Sequence, residues 1–376
     1  MRARDLGIEV GLGQPGPLDA ITDVAGVRVG HTTLIAGDGP LVVDAGPVRT
    51  GVTVVIPHDG QISDEPLFAG CHRLNGNGEV TGLDWIRESG LLTSPIALTT
   101  THAVGTVRDA LARRQLAMDS RDGLLWSLPV VGETWDGCLN DATGLHVTAE
   151  HLDAAIAAAA PGPVAEGNVG GGTGMICHDF KGGCGTASRE VACGEARFTV
   201  GALVQANHGT RERFQVNGVP VGQLVSDAVV PVPVTPEESF PRGAGSIIVV
   251  VATDAPLLPH QLSRLAQRAG LGLALLGACG DNYSGDFMLA FSTANRGLRG
   301  MHVPGAGRLS DTVETLSLSY IDPLFEAAVE ATEEAVLNAL LQAETMVGRD
   351  GVTACALDGE MLVRVLDEYG RRRFRP

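Results

Sequence analysis

The sequence predicts an α/β protein in which sheets are covered by layers of helices. Two observations carry this expectation: short β-branched or apolar runs closed off by Gly, Pro or polar residues, and longer stretches of helical patterning interleaved with them. The first strand is expected over residues 52–57, where Val-Thr-Val-Val-Ile runs into Pro57, and the next over 95–101, which starts at Pro95. Helices are expected over 102–118 and 151–160. A strand over 197–206 and an unbroken apolar strand over 246–253 follow, then a helix over 259–269 opened by Pro259. The run Phe-Met-Leu-Ala-Phe predicts a strand over 287–292, and the chain closes with helices over 322–346 and 358–369.

With 376 residues, 44% hydrophobic and 19% charged, the chain has the balance of a globular protein with a sizeable core. The stretch most like a linker, 229–245, leads straight into the most buried-looking strand, so one domain is expected over 1–376. A net charge of -17 opposes nucleic-acid binding, which needs clustered Lys and Arg, and favours cationic ligands such as free amines. The basic run Arg371-Arg-Arg-Phe-Arg375 reads as a terminal tail. No stretch reaches the ~18 apolar residues that span a bilayer. The opening Met1-Arg-Ala-Arg-Asp-Leu-Gly lacks a signal-peptide core, and seven cysteines, an odd number, read as reduced thiols, so a cytoplasmic location is expected. Cys177, Cys184 and Cys193, with His178 beside the first, are too widely spaced for a standard pair of close zinc ligands, and no metal site is expected there. Glycines number 50, well above the usual share of about 7%. They concentrate in Gly170-Gly-Gly-Thr-Gly and Lys181-Gly-Gly-Cys-Gly, where tight turns and close approach of backbone amides to a ligand are expected; neither has the order of a phosphate-binding P-loop.

The sharpest discontinuity is at Gly245-Ser246. Loop chemistry over 229–245 ends against Ser246 and the apolar run Ile247-Ile-Val-Val-Val-Ala252. A cut there would make Ser246 an N-terminal residue whose α-amino group, with a pKa of about 7.7–8.0, can take the proton of its own hydroxyl. Gly243 and Gly245 would supply the strained or positive-φ backbone that lets the hydroxyl reach the preceding carbonyl. From residues alone, Ser246 also fits an ordinary first residue of a strand.

The segment Gly245-Ser-Ile-Ile-Val-Val-Val-Ala-Thr-Asp-Ala-Pro-Leu-Leu-Pro259 resembles the cleavage-site signature of the DmpA family, peptidase family S58, self-processing aminopeptidases and D-amidases that include the β-peptidyl aminopeptidases. Ile21-Thr-Asp-Val-Ala-Gly-Val-Arg-Val-Gly-His31, Asn75-Gly-Asn-Gly-Glu-Val-Thr-Gly82, Gly170-Gly-Gly-Thr-Gly-Met-Ile-Cys177 and Ser284-Gly-Asp-Phe-Met-Leu-Ala-Phe-Ser-Thr-Ala-Asn295 resemble the same family, in the same order. The resemblance implies a four-layer αββα sandwich and cleavage into chains 1–245 and 246–376.

It also implies roles. Ser246 is the expected nucleophile and Gly245-Ser246 the cleaved bond. Asn207, which otherwise reads as a turn residue in Asn-His-Gly, would stabilise the oxyanion. Ser284 and Asp286, two apart in what also reads as a loop, would relay or orient protons and hold the free amine; some relatives carry glutamate at the second position. Glu133, also readable as a strand-end acid, would hold the substrate ammonium. Trp135 would wall the pocket and favour the cation by its π-face, where some relatives place a tyrosine. The expected substrate is a short peptide, amide or ester with a free amine, and the expected assembly is four processed heterodimers. No metal or organic cofactor is implied. The nearest alternative activities are a β-peptidyl aminopeptidase, an ornithine acetyltransferase-like enzyme or a nylon-oligomer hydrolase, the last two typically using threonine at the new terminus. An uncut, non-catalytic binding protein is the alternative of a different class.

Overall fold

The computed structural model describes residues 1–118, 126–234, 245–299 and 309–373. Residues 235–244 of the expected processing loop, and the Phe374-Arg375 end of the basic tail, lie outside the described residues. Two sheets face each other. The four-stranded one has the order β1 (Arg28–Ala36), β2 (Val48–Ile56), β5 (Ile96–Thr100), β6 (Val130–Thr134). The six-stranded one contains β3 (Leu67–Gly76), β4 (Leu91–Leu92), β9 (Gly183–Cys193), β10 (Ala196–Asn207), β11 (Gly245–Thr253) and β12 (Ser284–Ser292), in the order β4-β3-β12-β11-β10-β9. A small hairpin, β7 (Ile176–Cys177) with β8 (Phe180–Lys181), stands beside them. The helices are α1 (Leu83–Ser89), α2 (Val104–Met118), α3 (Ala149–Ala158), α4 (Val221–Leu224), α5 (Pro259–Leu275), α6 (Asp322–Gln342) and α7 (Gly359–Glu368). Among the described residues no helix is long and apolar enough to cross a membrane.

Strand alternation sorts the side chains into layers. Ile248, Val250 and Ala252 of β11 pack with Leu203, Phe287 and Leu289, and with Val55, Leu98 and Val130 of the opposite sheet. Ile247, Val249 and Val251 point the other way, onto Leu262 and Leu265 of α5 and Ala328 and Ala331 of α6. On the far side, Val52, Val54, Ala97 and Val131 pack under Val107 and Leu111 of α2 and Leu152 and Ala155 of α3. The four-layer αββα sandwich is therefore the observed fold. Gln205 of β10 stitches the sheets together, its Nε2 donating to Thr99 O at 2.9 Å and Thr134 Oγ1 at 2.8 Å.

The expected strands appear as β2, β5, β10, β11 and β12, and the expected helices as α2, α3, α5, α6 and α7. Helix α5 runs on to Leu275, and α6 stops at Gln342 rather than 346, before a short strand at Met346–Val347. Strands β1, β3, β6 and β9 and helix α1 were not expected. Strand β9, Gly-Cys-Gly-Thr-Ala-Ser-Arg-Glu-Val-Ala-Cys, has few residues of high β propensity and becomes a strand by pairing with β10 along its length. Its glycines correct the ligand-approach reading: a Cβ on Gly185 would lie 2.0 Å from Ala335 O of α6, and one on Gly183 2.2 Å from Gly167 O. Gly171 likewise leaves room for Gln205 Oε1, 1.9 Å from its would-be Cβ. These glycines let backbone pack on backbone.

Two alanine substitutions should therefore act in opposite directions. Gly185→Ala forces α6 off the sheet and should lower stability by about 1–3 kcal/mol. Gly105→Ala, in α2 with nothing among the described residues within 4 Å of the new methyl, should raise it by about 0.5–1 kcal/mol. Thermal unfolding of the two variants checks both signs.

Candidate active site

Strand β11 begins between two neighbours. Ser246 is opposite Asn207, near the end of antiparallel β10, and beside Gly285 of parallel β12. The parallel pair needs a crossover, which α5 supplies between residues 253 and 284. Ser246 shares the parity of Ile248 and Val250, so its hydroxyl is on the inter-sheet face, and its Oγ accepts a hydrogen bond from Gly285 N at 3.2 Å.

Asn207 shares that face. Its Oδ1 accepts from Ile176 N at 2.7 Å and its Nδ2 donates to Trp135 O at 2.9 Å. These two bonds fix which way the amide points and leave Nδ2 with a second hydrogen. Trp135 thus contributes its backbone carbonyl; its indole lies edge-on to His102, with centroids 5.1 Å apart, and over Gly137, whose would-be Cβ is 2.2 Å from the ring.

Ser284 and Asp286 form a pair, the hydroxyl donating to Asp286 Oδ1 at 2.6 Å. Their parity is that of Met288 and Ala290, so they face the helical layer, on the opposite side of the sheet from the Ser246 hydroxyl. There they line a cavity of about 10 Å³ with His208, Leu273 and Asp281. Burial pushes the Asp286 carboxyl up to about 6, assisted by Asp281 and opposed by the Ser284 hydrogen bond.

Glu133, near the end of β6, is buried, which raises its pKa. Its Oε1 accepts from Glu79 N at 2.8 Å, and its Oε2 accepts from the Thr101 hydroxyl. Gly78 separates it from β12, the strand beside that of Ser246: a Cβ there would lie 2.8 Å from Glu133 Oε1 and 3.2 Å from Gly285 Cα. Residues 75–79 therefore wedge between the acid and β12. Asn75 anchors this segment through Nδ2, donating to Ser284 O at 2.6 Å. The supporting roles of Asn75, Thr101 and Gly285 had no local signal beyond the glycine-rich run at 75–78.

At Gly245 a would-be Cβ falls 2.0 Å from Asn207 O. A side chain at position 245 has no room, because the neighbouring strand's carbonyl occupies its space. Ser246, Asn207, Ser284, Asp286 and Glu133 are all buried, at 2–5% exposure. A cavity of about 610 Å³ is elsewhere, lined by Arg189, Gln215, Glu330 and Glu333 among others.

The raised Asp286 pKa gives a signed pH dependence. Folding binds its proton more tightly than the unfolded chain does, so the stabilising effect is complete below about 4 and is lost as pH rises through about 6. Asp286→Asn, which keeps an acceptor for Ser284, should be more stable than the parent at pH 8, by up to about 3 kcal/mol. The difference should vanish toward pH 4, as read by denaturant unfolding across the range.

The profile of peptidase family S58 matches residues 19–354. Beta-peptidyl aminopeptidase BapA of Sphingosinicella microcystinivorans is 47% identical, over 98% of this chain and 93% of its own. The beta-aminopeptidase of Burkholderia sp. superposes with a TM-score of 0.91 at 51% identity, covering 100% of both chains. The L-aminopeptidase D-Ala-esterase/amidase of Ochrobactrum anthropi, a prototype serine aminopeptidase and a variant of the Ntn (N-terminal nucleophile) hydrolase fold, gives 0.89 at 45% identity over 98% of this chain and 99% of its own. Matched end to end by relatives that share its four layers, the chain belongs to peptidase family S58.

Proposed function

We propose that this chain is a self-processing aminopeptidase whose nucleophile is Ser246. The observation that carries the reading is the cross-strand pair of Ser246 with Asn207, whose amide is held in one orientation beside the strand that contains the proposed cut. In maturation, Ser246 Oγ attacks the Gly245 carbonyl and the Gly245-Ser246 C–N bond breaks, giving an ester. Water hydrolyses the ester, leaving a Gly245 carboxylate and a free amine on Ser246. The cut frees the segment before Ser246 and opens the space that the uncut chain closes.

In turnover, the Ser246 amine takes the hydroxyl proton as Oγ attacks the substrate carbonyl. Asn207 Nδ2 donates to the oxyanion, the departing amine takes the proton, and water resolves the acyl-enzyme. Ser284 and Asp286 act from the other face of the sheet, on the strand beside the new amine, as a proton-holding pair. Glu133 receives the substrate ammonium. Within this scheme we favour β-peptidyl substrates, because the relatives named for that activity match at 47% and 51% identity. Release of N-terminal L-amino acids is the second reading, supported by the Ochrobactrum anthropi structure at 45%. Pocket contacts separating such substrates are worth only about 1–3 kcal/mol. We also propose a homotetramer of processed heterodimers, and a reducing, cytoplasmic setting, with which seven unbridged cysteines agree.

Intact mass spectrometry under denaturing conditions should give two chains, beginning at Met1 and Ser246, for the parent, and one for Ser246→Ala, which should also be inactive on β-amino-acid and L-amino-acid p-nitroanilides. An uncut parent, or a cut and active Ser246→Ala protein, would sink the proposal. Gly245→Ala should slow or prevent the cut while leaving Ser246 in place. Glu133→Gln should still mature but lose about 10–100-fold in kcat/KM on amine-bearing substrates, the cost of a charged hydrogen bond of about 1.5–3 kcal/mol. An equal loss on an N-acylated analogue would remove the ammonium role.

A further inference from the structure

Behind Asn207, on the side away from the two facing sheets' shared core, three soft or borderline ligands meet. Cys177 ends β7, His178 opens the turn to β8, and His208 follows β10. One ligand atom from each lies within 4.8 Å of the others, and the three residues are 0%, 0% and 4% exposed. Cys177 Sγ and His208 Nδ1 are 3.7 Å apart. That is close to the separation of about 3.5–3.7 Å expected of two ligands on one ion, for metal–sulfur and metal–nitrogen bonds of about 2.3 and 2.0 Å.

The third ligand is oriented from outside. His178 Nδ1 lies 3.3 Å from Thr210 O, so an Nδ1–H donated to that carbonyl leaves the lone pair on Nε2. A metal-binding imidazole is commonly fixed by such a hydrogen bond from its other nitrogen. Nε2 is buried and has no hydrogen-bond partner among the described residues. The ring reaches this position through a turn in which His178 and Asp179 both adopt positive φ, 49° and 57°, without a glycine. His178 N donates to His208 O at 2.8 Å, and Arg211 holds Asp179 through both its backbone and side chain, so the turn is locked against β10.

The charge selects the ion. A thiolate with two neutral imidazoles carries one negative charge, which a monovalent cation cancels; a divalent one would leave net positive charge in a dry site. Lys181, also buried, is on the same hairpin with its ammonium donating to Met175 O and Gly182 O at 2.9 and 2.8 Å, which sharpens the penalty. We propose that Cys177, His178 and His208 form a three-coordinate site for a soft monovalent metal ion, Cu(I), adjoining the oxyanion residue. Binding releases the Cys177 thiol proton to solvent and changes no oxidation state. The wide cysteine spacing concealed this arrangement: Cys184 and Cys193 take no part, and the third ligand comes 31 residues after Cys177.

The test uses the full chain, produced in copper-supplemented medium, purified under reducing conditions and dialysed against a Cu(I) chelator. Metal content and thermal midpoint are then measured. The expected result is about one copper per chain and a raised midpoint in the parent, in Cys193→Ala and in Cys279→Ser, with both lost in Cys177→Ala and His178→Asn. Asparagine tolerates the left-handed backbone at 178, so the second variant keeps the fold if the first does not. A parent without copper, or equal copper in both ligand variants, overturns the site; zinc retained in place of copper overturns the monovalent assignment. Neither measurement depends on cleavage at Ser246.

Discussion

Strand β11 is paired on both edges and covered on both faces, and the positions of the residues around Ser246 follow from that. Its antiparallel edge brings Asn207 opposite the serine; its parallel edge brings Gly285 N–H to the hydroxyl. A strand so enclosed cannot slip by one residue without exchanging Ile248 and Val250 for Ile247 and Val249 in two different cores. The hydrophobic register of the sheet therefore doubles as the alignment of the site. The same alternation puts the Ser284–Asp286 pair on the opposite side of the sheet, where a carboxyl can be kept dry and its proton held into the mildly acidic range.

Around this strand, glycines set the distances. Glu133, Gly78 and Gly285 follow one another across the gap between the sheets, with Ser246 on the strand beside Gly285, and a side chain on either glycine would push the acid away from β12. On Gly285 a Cβ would meet Asn77 O at 2.6 Å and Gly78 Cα at 2.8 Å. The high glycine content is thus a packing requirement, spent where backbones or buried acids must come close. The buried acids themselves are individually supported: Glu133 has the Glu79 amide and the Thr101 hydroxyl, and Asp286 has Ser284.

This explains which parts of the molecule were legible in the sequence. Strands β10, β11 and β12 announce themselves because they are buried on both faces and rich in Val, Ile, Leu or Phe. Strands β1, β3 and β9 do not, since each mixes small, polar or exposed residues and becomes a strand through its partners. Ser246 was legible as the point where loop chemistry meets the most apolar strand. Asn207, Glu133, Ser284 and Asp286 were named through family motifs, and the structure places them as buried groups at one end of the sandwich. What no local pattern revealed was the face each side chain takes. That depends on the register of β12 against β11, fixed only when the crossover through α5 is built. The reason for glycine at 245 was equally hidden, because the obstructing Asn207 carbonyl is 38 residues earlier.

The proposed cut falls inside this architecture, after the first residue of β11, and both resulting chains would be bound into one sheet. Arg189 of β9, fully buried, joins Glu330 at 3.0 Å and Glu334 at 2.6 Å on α6, and Arg4 also reaches Glu334. Ala3 N donates to Asn338 Oδ1 at 2.9 Å. These contacts tie residues before the cut to residues after it, around a central strand that only a continuous chain inserts as a unimolecular event. Once severed, two strangers would have to find each other in solution to rebuild a sheet interior that neither can shield alone. The persistence of a protein so cut would be governed by its unfolding rate, and heat or denaturant would erase it in one direction only.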